Sequence, residues 1–486
     1  MTNKLCFGDC LDILDMPGDG GRPLVADESV DLVYLDPPFN SKADYNMIFG
    51  KGVDKQAQMQ AFTDTWQWGG QGTQDTLDMV RAVAHPAHGA IKSLHGFLGD
   101  SGMMAYLGYM AKRLAVIRRK MKKTGSIFLH CDPTASHYLK IVMDGIFGAR
   151  NFRNEIIWCY TGPGSPGMRQ FSRKHDTIFW YAKSNRWVFN QKEVRMPYKD
   201  PNQTLRKAMD GGKGIGKEEV ARYRARGKVP ESWWPDFTPV GRLKRENLGY
   251  PTQKPVALLK RIITASSHEG DLVLDPFCGC GTTVAAAELL RRRWIGIDIS
   301  AAAIRIVTKV RKELSGSTFE EFGIPKGMAE ARKLATGNPQ QYEHWQISTI
   351  PGLAPNHRHN QEGYDGLGTF LEITGAAEGK PPMRTITAEV KSGKGGVTAA
   401  QRNHLKAHVE QNQSAMGIFL TLARDPATER WCKTQGHYQM PGSVKKYPKF
   451  QVYSAEQYFA HEEPSLPPML DPMTGKPVQE EFFARN

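Results

Sequence analysis

Apolar positions in this chain fall into short unbroken runs separated by amphipathic stretches. Lys4-Leu5-Cys6-Phe7 leads into Gly8-Asp9, Asp31-Leu32-Val33-Tyr34-Leu35 into Asp36, Ser126-Ile127-Phe128-Leu129 into His130-Cys131-Asp132, Asp271-Leu272-Val273-Leu274 into Asp275, and Trp294-Ile295-Gly296-Ile297 into Asp298. Short runs without polar alternation are the mark of strands covered on both faces. Between them Leu107, Met110, Leu114, Ile117 and Met121 recur at helical spacing across 102–123, with Lys and Arg on the opposite face. Leu139, Val142, Met143 and Ile146 do the same ahead of Gly148, as do Val256, Leu258, Leu259, Ile262 and Ile263, and Ile304, Val307, Val310 and Leu314 in 301–314. Asp132 is the expected N-cap and Pro133 the expected first residue of the helix that Gly148 stops. Strand and helix alternating in this way predict a doubly wound α/β sheet, with Thr177–Tyr181 as a further strand of it. Residues 40–100 are polar, with Tyr45, Phe49, Trp66 and Trp68 and no sustained period, and predict an irregular region with short helices.

Composition divides the chain further. Its 486 residues exceed one ordinary core and imply two or three domains. Between 151 and 250 there are 20 Lys and Arg against 10 Asp and Glu, a net of +10 out of +14 for the whole chain. The same stretch is rich in Gly and Pro and carries Trp158, Tyr160, Phe171, Trp180, Trp187, Trp233 and Trp234. Cations interleaved with aromatic rings suit a surface that follows phosphates and reads bases; a solvated basic face is the rival reading. The seven cysteines, at 6, 10, 131, 159, 278, 280 and 432, are odd in number and not in Cys-x-x-Cys units, which argues for a reducing compartment and against structural zinc. Met1-Thr2-Asn3-Lys4 lacks an apolar signal core and no stretch approaches a membrane span, so a cytoplasmic protein is expected.

Two strand ends carry the chemistry. Asp36 offers an acceptor-only carboxylate, Pro37 and Pro38 stiffen the turn and leave its carbonyls free to accept, and Phe39 adds a flat face on which a base can stack. A primary aromatic amine, two donors on a π-face, matches that set. Downstream, Asp275-Pro276-Phe277-Cys278-Gly279-Cys280-Gly281 is a glycine turn after a strand, with Thr282 opening a helix and the acid Asp298 about 20 residues on, where nucleoside-binding α/β folds hold ribose hydroxyls. There is no Gly-Lys-Ser/Thr phosphate loop, and the turn is not the Gly-x-Gly-x-x-Gly of dinucleotide folds.

Asp36-Pro37-Pro38-Phe39 resembles the catalytic motif of the DNA amino-methyltransferases, which methylate adenine N6 or cytosine N4 using S-adenosylmethionine. Asp275 to Gly281 resembles their cofactor motif, and Thr252-Gln253-Lys254-Pro255 the segment that precedes it. Catalytic motif, basic region and cofactor motif in that order is the arrangement of the family's β class, and the resemblance spans 1–314. It implies a Rossmann-like methyltransferase sheet with an inserted recognition region at 151–250, acting on double-stranded DNA whose target base leaves the helix. Asp36 and the Pro37 carbonyl would accept the amine hydrogens beside Pro38 and Phe39. Asp275 would hold the methionine amino end and Asp298 the ribose; Asp9, Lys254, Phe277, Gly279, Gly281 and Thr282 would complete the cofactor site. Adenine is favoured because cytosine-N4 enzymes usually carry Ser in place of Asp36; cytosine N4 is the alternative. An RNA or protein-glutamine methyltransferase and a non-enzymatic nucleic-acid-binding protein are the other readings, and a homodimer is left open.

After a linker at 315–340 the remaining 341–486 is expected to be a smaller α/β domain. Asp365 precedes a β-prone run to Ile373, and a second run, Thr385 to Lys391, ends in Glu389-Val390-Lys391. As an antiparallel hairpin these would bring Asp365, Glu389 and Lys391 together, two carboxylates for Mg²⁺ and a lysine for an attacking water. The arrangement, with Gln401–Val409 as helix and Gly417–Leu420 as strand, resembles the PD-(D/E)xK nuclease superfamily. A restriction nuclease fused to the methyltransferase, or a non-cleaving DNA-binding module, are the two readings of this domain.

Overall fold

A computed structural model describes residues 2–17, 23–38, 44–47, 59–63, 66, 68–69, 71–162, 169–198, 217–243, 245–248, 250, 252–309, 311–356, 363–372, 382–393, 395–441 and 443–470. In chain order the strands are β1 (Asn3–Phe7), β2 (Val30–Leu35), β3 (Asp44–Met47), β4 (Met59–Thr63), β5 (Met121–Cys131), β6 (Phe152–Cys159), β7 (His175–Ala182), β8 (Trp233–Trp234), β9 (Leu272–Asp275), β10 (Arg293–Asp298), β11 (Phe319–Phe322), β12 (Leu353–Pro355), β13 (Gly366–Leu371), β14 (Met383–Lys391), β15 (Met416–Thr421), β16 (His437–Gln439), β17 (Lys446–Pro448) and β18 (Phe450–Ser454).

Nine of them form one sheet in the order β11-β1-β10-β9-β2-β5-β7-β6-β8. The strands from β11 to β5 run parallel, and β7 is antiparallel to both β5 and β6. The unbroken apolar runs have their expected cause. Leu32, Tyr34, Phe128, Ile178 and Trp180 are buried on one face of the sheet, while Val33, Leu35, Ile127, Leu129, Phe179 and Tyr181 are buried on the other. Helices cover both faces, among them Gly102–Lys120 and Val256–Ser266, so the doubly wound architecture expected from the pattern is what the chain adopts. The order of strands reverses between β2 and β9, which carry Asp36 and Asp275 at their C-terminal ends; this is where open α/β sheets form ligand crevices.

Some local boundaries differ from expectation. The helix expected from Pro133 begins at Ser136, because Asp132 Oδ1 accepts the amides of Thr134 and Ala135 and holds a turn there first. Residues 40–100 contain the helices Gln71–Arg81 and His88–Leu98 and the β3–β4 pair. The stretch 315–340 is not a linker: β11 pairs with the free edge of β1, and the helix Met328–Gly337 follows it and buries Ala331 and Ala335.

The second sheet has the order β12-β13-β14-β15-β18. β13 and β14 form the expected antiparallel hairpin, with Gly366 opposite Ala388, and the helix Ala399–Gln411 crosses to β15, which lies parallel to β14. The helix Pro339–Ser348 precedes β12. Its Tyr342 and Trp345 join Leu314 and Val307 of the first part and Ile418 and Leu420 of the second in one hydrophobic core. Among the described residues no helix is long and apolar enough to cross a membrane.

Candidate active site

A cleft opens at the C-terminal ends of β1, β2, β9 and β10. Its walls include Gly8, Asp9, Tyr34, Asp36, Pro37, Pro38, Tyr109, Tyr250, Lys254, Asp275, Phe277, Gly279, Thr282, Thr283 and Asp298. Residues separated by more than 260 positions therefore share one crevice. Every expected site residue of the first part lines it except two: Phe39, which lies outside the described residues, and Gly281, which sits behind it.

Asp36 is the most informative of them. Its Oδ2 accepts a hydrogen bond from Lys254 Nζ at 2.6 Å, and Lys254, itself 6% exposed, also donates to the Thr252 carbonyl at 3.0 Å. The other oxygen, Asp36 Oδ1, is buried and accepts no hydrogen bond among the described residues. An unpaired carboxylate oxygen out of water costs about 1–3 kcal/mol or more, so the site is built for a donor that arrives from outside. Lys254, expected among the cofactor ligands, thus has its ammonium on the catalytic-motif carboxylate.

The glycine turn is shaped by backbone geometry. Gly279 has φ +49° and a side chain on it would meet the Tyr250 ring at 3.2 Å; Gly281 has φ +75° and a side chain there would meet Val307 at 2.7 Å. Asp298 accepts the amides of Gly279 at 2.7 Å and Ser300 at 2.8 Å, which ties the end of β10 to this turn. Asp275 accepts the amide of Phe277 at 3.1 Å and the hydroxyl of Thr283. Burial nevertheless pushes the Asp275 carboxyl up to about 7 and the Asp298 carboxyl up to about 6. Two acids held in that state favour a ligand that brings a cation and hydroxyl donors.

The third wall comes from β1. Asp9 caps the helix Cys10–Asp15 through the amide of Leu11 at 2.8 Å, and its second oxygen pairs with Arg113. Arg113 is fully buried, with its guanidinium stacked 3.3 Å from the centre of the Tyr109 ring, and this fixes Tyr109 in the cleft wall.

Several of these residues carry no signal in the sequence. Tyr34 lines the cleft and its hydroxyl lies 2.8 Å from His130 Nδ1, while His130 Nε2 lies 3.0 Å from Asp176, which also accepts from Tyr160 at 3.1 Å. With Nε2–H donating to Asp176, Nδ1 is the acceptor for the Tyr34 hydroxyl, whose remaining lone pairs are then its acceptor side. His130 joins β2, β5 and β7 behind the Asp36 turn. Nothing local marks Tyr34 or Asp176, whose partner His130 is 96 and 46 positions away, and Arg113 meets Tyr109 within its own helix but Asp9 104 positions earlier.

A second group of acids stands in the C-terminal sheet. Asp365 Oδ2 accepts the amide of Val390 at 2.7 Å, which seats it beside Glu389 as the hairpin register required. Glu389 is 1% exposed; Lys391 Nζ lies 3.0 Å from its Oε2 and His404 Nδ1 2.9 Å from its Oε1. Glu343, from the helix Pro339–Ser348, is a member that the sequence did not reveal. Burial first, and then the Asp365 charge, push its carboxyl up to about 8, with Lys391 acting in the opposite direction. Among the described residues no group of three or more His, Cys, Asp or Glu is arranged to hold a metal ion.

Comparison with known proteins bears on the first part. A family model for N6/N4 enzymes, described as DNA methylase, matches residues 30–309. The chain is 29% identical over 265 residues to the DNA adenine methyltransferase YhdJ of Escherichia coli K12, which covers 54% of this chain and 84% of that protein. It is 29% identical over 264 residues to the type II methyltransferase M.HpaI of Haemophilus parainfluenzae, covering 53% of this chain and 75% of the relative. A longer match, 22% identical over 447 residues, covers 77% of this chain and 63% of the Mod subunit of the type III restriction-modification enzyme StyLTI of Salmonella typhimurium. Among solved structures, the PvuII DNA methyltransferase (cytosine-N4-specific) is 15% identical with a TM-score of 0.37, covering 66% of this chain and 95% of that one.

Proposed function

Because the chain belongs to the N6/N4 DNA methylase family, which its residues 30–309 match, we propose that it transfers a methyl group from S-adenosylmethionine to the N6 amine of an adenine turned out of double-stranded DNA. The observation that carries the reading is the divided state of Asp36: one oxygen held by Lys254, the other buried and without a donor. An exocyclic amine supplies that donor. Accepting one amine hydrogen at Asp36 Oδ1 and the other at the Pro37 carbonyl turns the nitrogen lone pair out of conjugation with the ring, where it can attack a methyl group.

The cleft fits S-adenosylmethionine by its donor and acceptor set. Asp275 would pair with the amino-acid ammonium and Asp298 with the ribose hydroxyls, against the backbone of Gly279, which carries no side chain of its own. Asp9, Phe277 and Thr282 complete the walls. When bound, this group supplies an electrophilic methyl on a sulfonium. Lys254 orients Asp36 from outside the base and keeps a compensating cation beside it. Adenine is favoured by Asp36 itself and by the DNA adenine methyltransferase named among the relatives. The cations of 151–250 would supply the surface that follows the duplex, while its strands β6, β7 and β8 and the buried Trp158, Trp180 and Trp234 belong to the central sheet and its core.

The test is methylation of duplex DNA with labelled S-adenosylmethionine, followed by mass spectrometry of the nucleosides. N6-methyladenine is expected, with Asp36→Asn losing transfer by about 10³-fold or more while still binding cofactor. N4-methylcytosine would overturn the adenine assignment, and full activity of Asp36→Asn would overturn the mechanism.

For 341–486 we infer a PD-(D/E)xK-like nuclease site, supported by the convergence of Asp365, Glu389 and Lys391 on the β13–β14 hairpin. Two hard oxygen donors brought together at the β13–β14 hairpin would suit Mg²⁺, with the buried Glu389 Oε2 facing the Lys391 ammonium at 3.0 Å. Asp365 and Glu389 would hold the ion, and Lys391 would orient a water. Unmethylated DNA incubated with Mg²⁺ should be cut by the parent chain and not by Lys391→Ala. Equal behaviour of the two would leave this domain as a DNA-binding module.

A further inference from the structure

The floor of the cofactor cleft is reached by the other part of the molecule. Gln341, on the helix Pro339–Ser348, donates from Nε2 to the Phe7 carbonyl at 2.7 Å. Phe7 ends β1, and the next two residues, Gly8 and Asp9, line the cleft. Gln341 is 8% exposed and held at both ends: its own amide is capped by Asn338 Oδ1 at 3.0 Å, and its Oε1 lies 3.4 Å from Asn338 Nδ2. The geometry under the loop leaves no slack. A side chain on Gly8 would come within 2.9 Å of Gln341 Nε2, and one on Gly323, just after β11, within 2.0 Å of the Phe7 oxygen. Two segments beyond residue 314 therefore close on one carbonyl at the base of the cleft, 334 residues away along the chain in the case of Gln341.

We propose that Gln341 is a positioning residue of the methyltransferase, through which the C-terminal part sets the Gly8–Asp9 loop for cofactor binding. Asp9 is tied on its far side, to the Leu11 amide and to Arg113, so it is Gly8 and the strand end before it that Gln341 steadies. The Gly8 amide donates to the Asp298 carbonyl at 2.9 Å, and Gly8 itself stands at φ +148°, a conformation with little intrinsic preference to hold it. With the Phe7 carbonyl left unpaired in a dry environment, the strand end is free to turn toward another donor and to shift Gly8 against the Asp9 that Arg113 and the Leu11 amide hold. The effect falls on cofactor binding rather than on the transfer step, because Gln341 touches neither Asp36 nor the glycine turn. It is also reciprocal: a ligand that is held better when the helix is docked must in turn hold the helix in place.

The inference rests on the cleft binding S-adenosylmethionine, and the experiment separates the two. Titration calorimetry of the full chain with S-adenosylmethionine is compared with that of Gln341→Met, which keeps the length of the side chain and removes its donor. Methyl transfer is measured at saturating cofactor, and hydrogen exchange of Pro339–Ser348 is followed with and without it. Expected are a Kd about five- to tenfold higher in Gln341→Met, kcat within about twofold of the parent, an unfolding midpoint lowered by about 4 °C at most, and slower exchange of the helix on cofactor binding in the parent only. An unchanged Kd overturns the proposal. A variant whose unfolding midpoint, kcat and Kd all deteriorate together also overturns it, since that reports a purely structural contact. A parent chain that does not bind S-adenosylmethionine sinks the functional reading of the cleft instead.

Discussion

Asp275 and Asp298 illustrate how much of the site depends on single groups. Burial holds their carboxyls up to about 7 and about 6, well above the ordinary carboxylate range. A carboxyl raised on folding is one to which the folded chain binds a proton that the unfolded chain has released. Stability from these groups is therefore complete below about pH 4 and is lost as pH rises through 6 and 7. An ammonium placed against Asp275 reverses the preference, because the charged carboxylate then has a partner. Cofactor binding should accordingly release a proton below about pH 7 and tighten with pH up to that point, then level off. Calorimetry at pH 6 in two buffers of different ionisation heat checks this: a proton release near one is expected at pH 6 and near zero at pH 8, and Asp275→Asn should abolish the difference. Absence of release at pH 6 would remove Asp275 from the ammonium site. At this scale the motifs marked side chains that meet in one cleft but not which pairs form. Lys254 stood beside the cofactor motif in sequence, yet its partner is Asp36, 218 positions earlier; Tyr34, His130 and Asp176 are joined only by the packing of β2, β5 and β7.

Among elements, the turn between β9 and the helix Thr282–Leu289 is tightly constrained. Gly281 caps that helix at φ +75°, and the space a side chain would take is filled by Val307 from the helix Ala301–Lys309. A left-handed conformation costs a non-glycine residue about 1–2 kcal/mol, and the clash with Val307 adds to it. Gly281→Ala should therefore lower unfolding free energy by about 2 kcal/mol or more, measured by denaturant titration, with weakened cofactor binding because the turn carries Gly279. A variant as stable as the parent would mean that the turn relaxes without strain. The strands of the parallel centre were legible because burial on both faces leaves unbroken apolar runs. Those at the margins were not. Phe152–Cys159 carries Arg153, Asn154 and Glu155, and Phe319–Phe322 is Phe-Glu-Glu-Phe. Each is made a strand by the neighbour it pairs with, β7 in one case and the bare edge of β1 in the other, and such pairing is a tertiary property.

For the whole molecule, pairing and packing continue across the boundary at 314 that the motifs suggested. β11 supplies the ninth strand by covering the edge of β1, and the strand so covered delivers Phe7, Gly8 and Asp9 to the cleft. Beyond it, Ala331, Ala335, Tyr342 and Trp345 continue the same hydrophobic core that holds Leu5, Phe7 and Val307. Removing everything after Leu314 would strip one edge of its hydrogen-bonding partner and expose part of that core. An uncovered parallel edge strand beside apolar surface is a template for intermolecular pairing. A chain ending at Leu314 is thus expected to aggregate, or to bind S-adenosylmethionine more weakly than the full chain, although every methyltransferase motif is present in it. Size-exclusion chromatography with light scattering, followed by cofactor titration of any monodisperse fraction, decides the matter. A monodisperse 1–314 with the affinity of the full chain would show that the first part is self-sufficient, and that the contacts of β11 and Gln341 with β1 join two independent domains without shaping either.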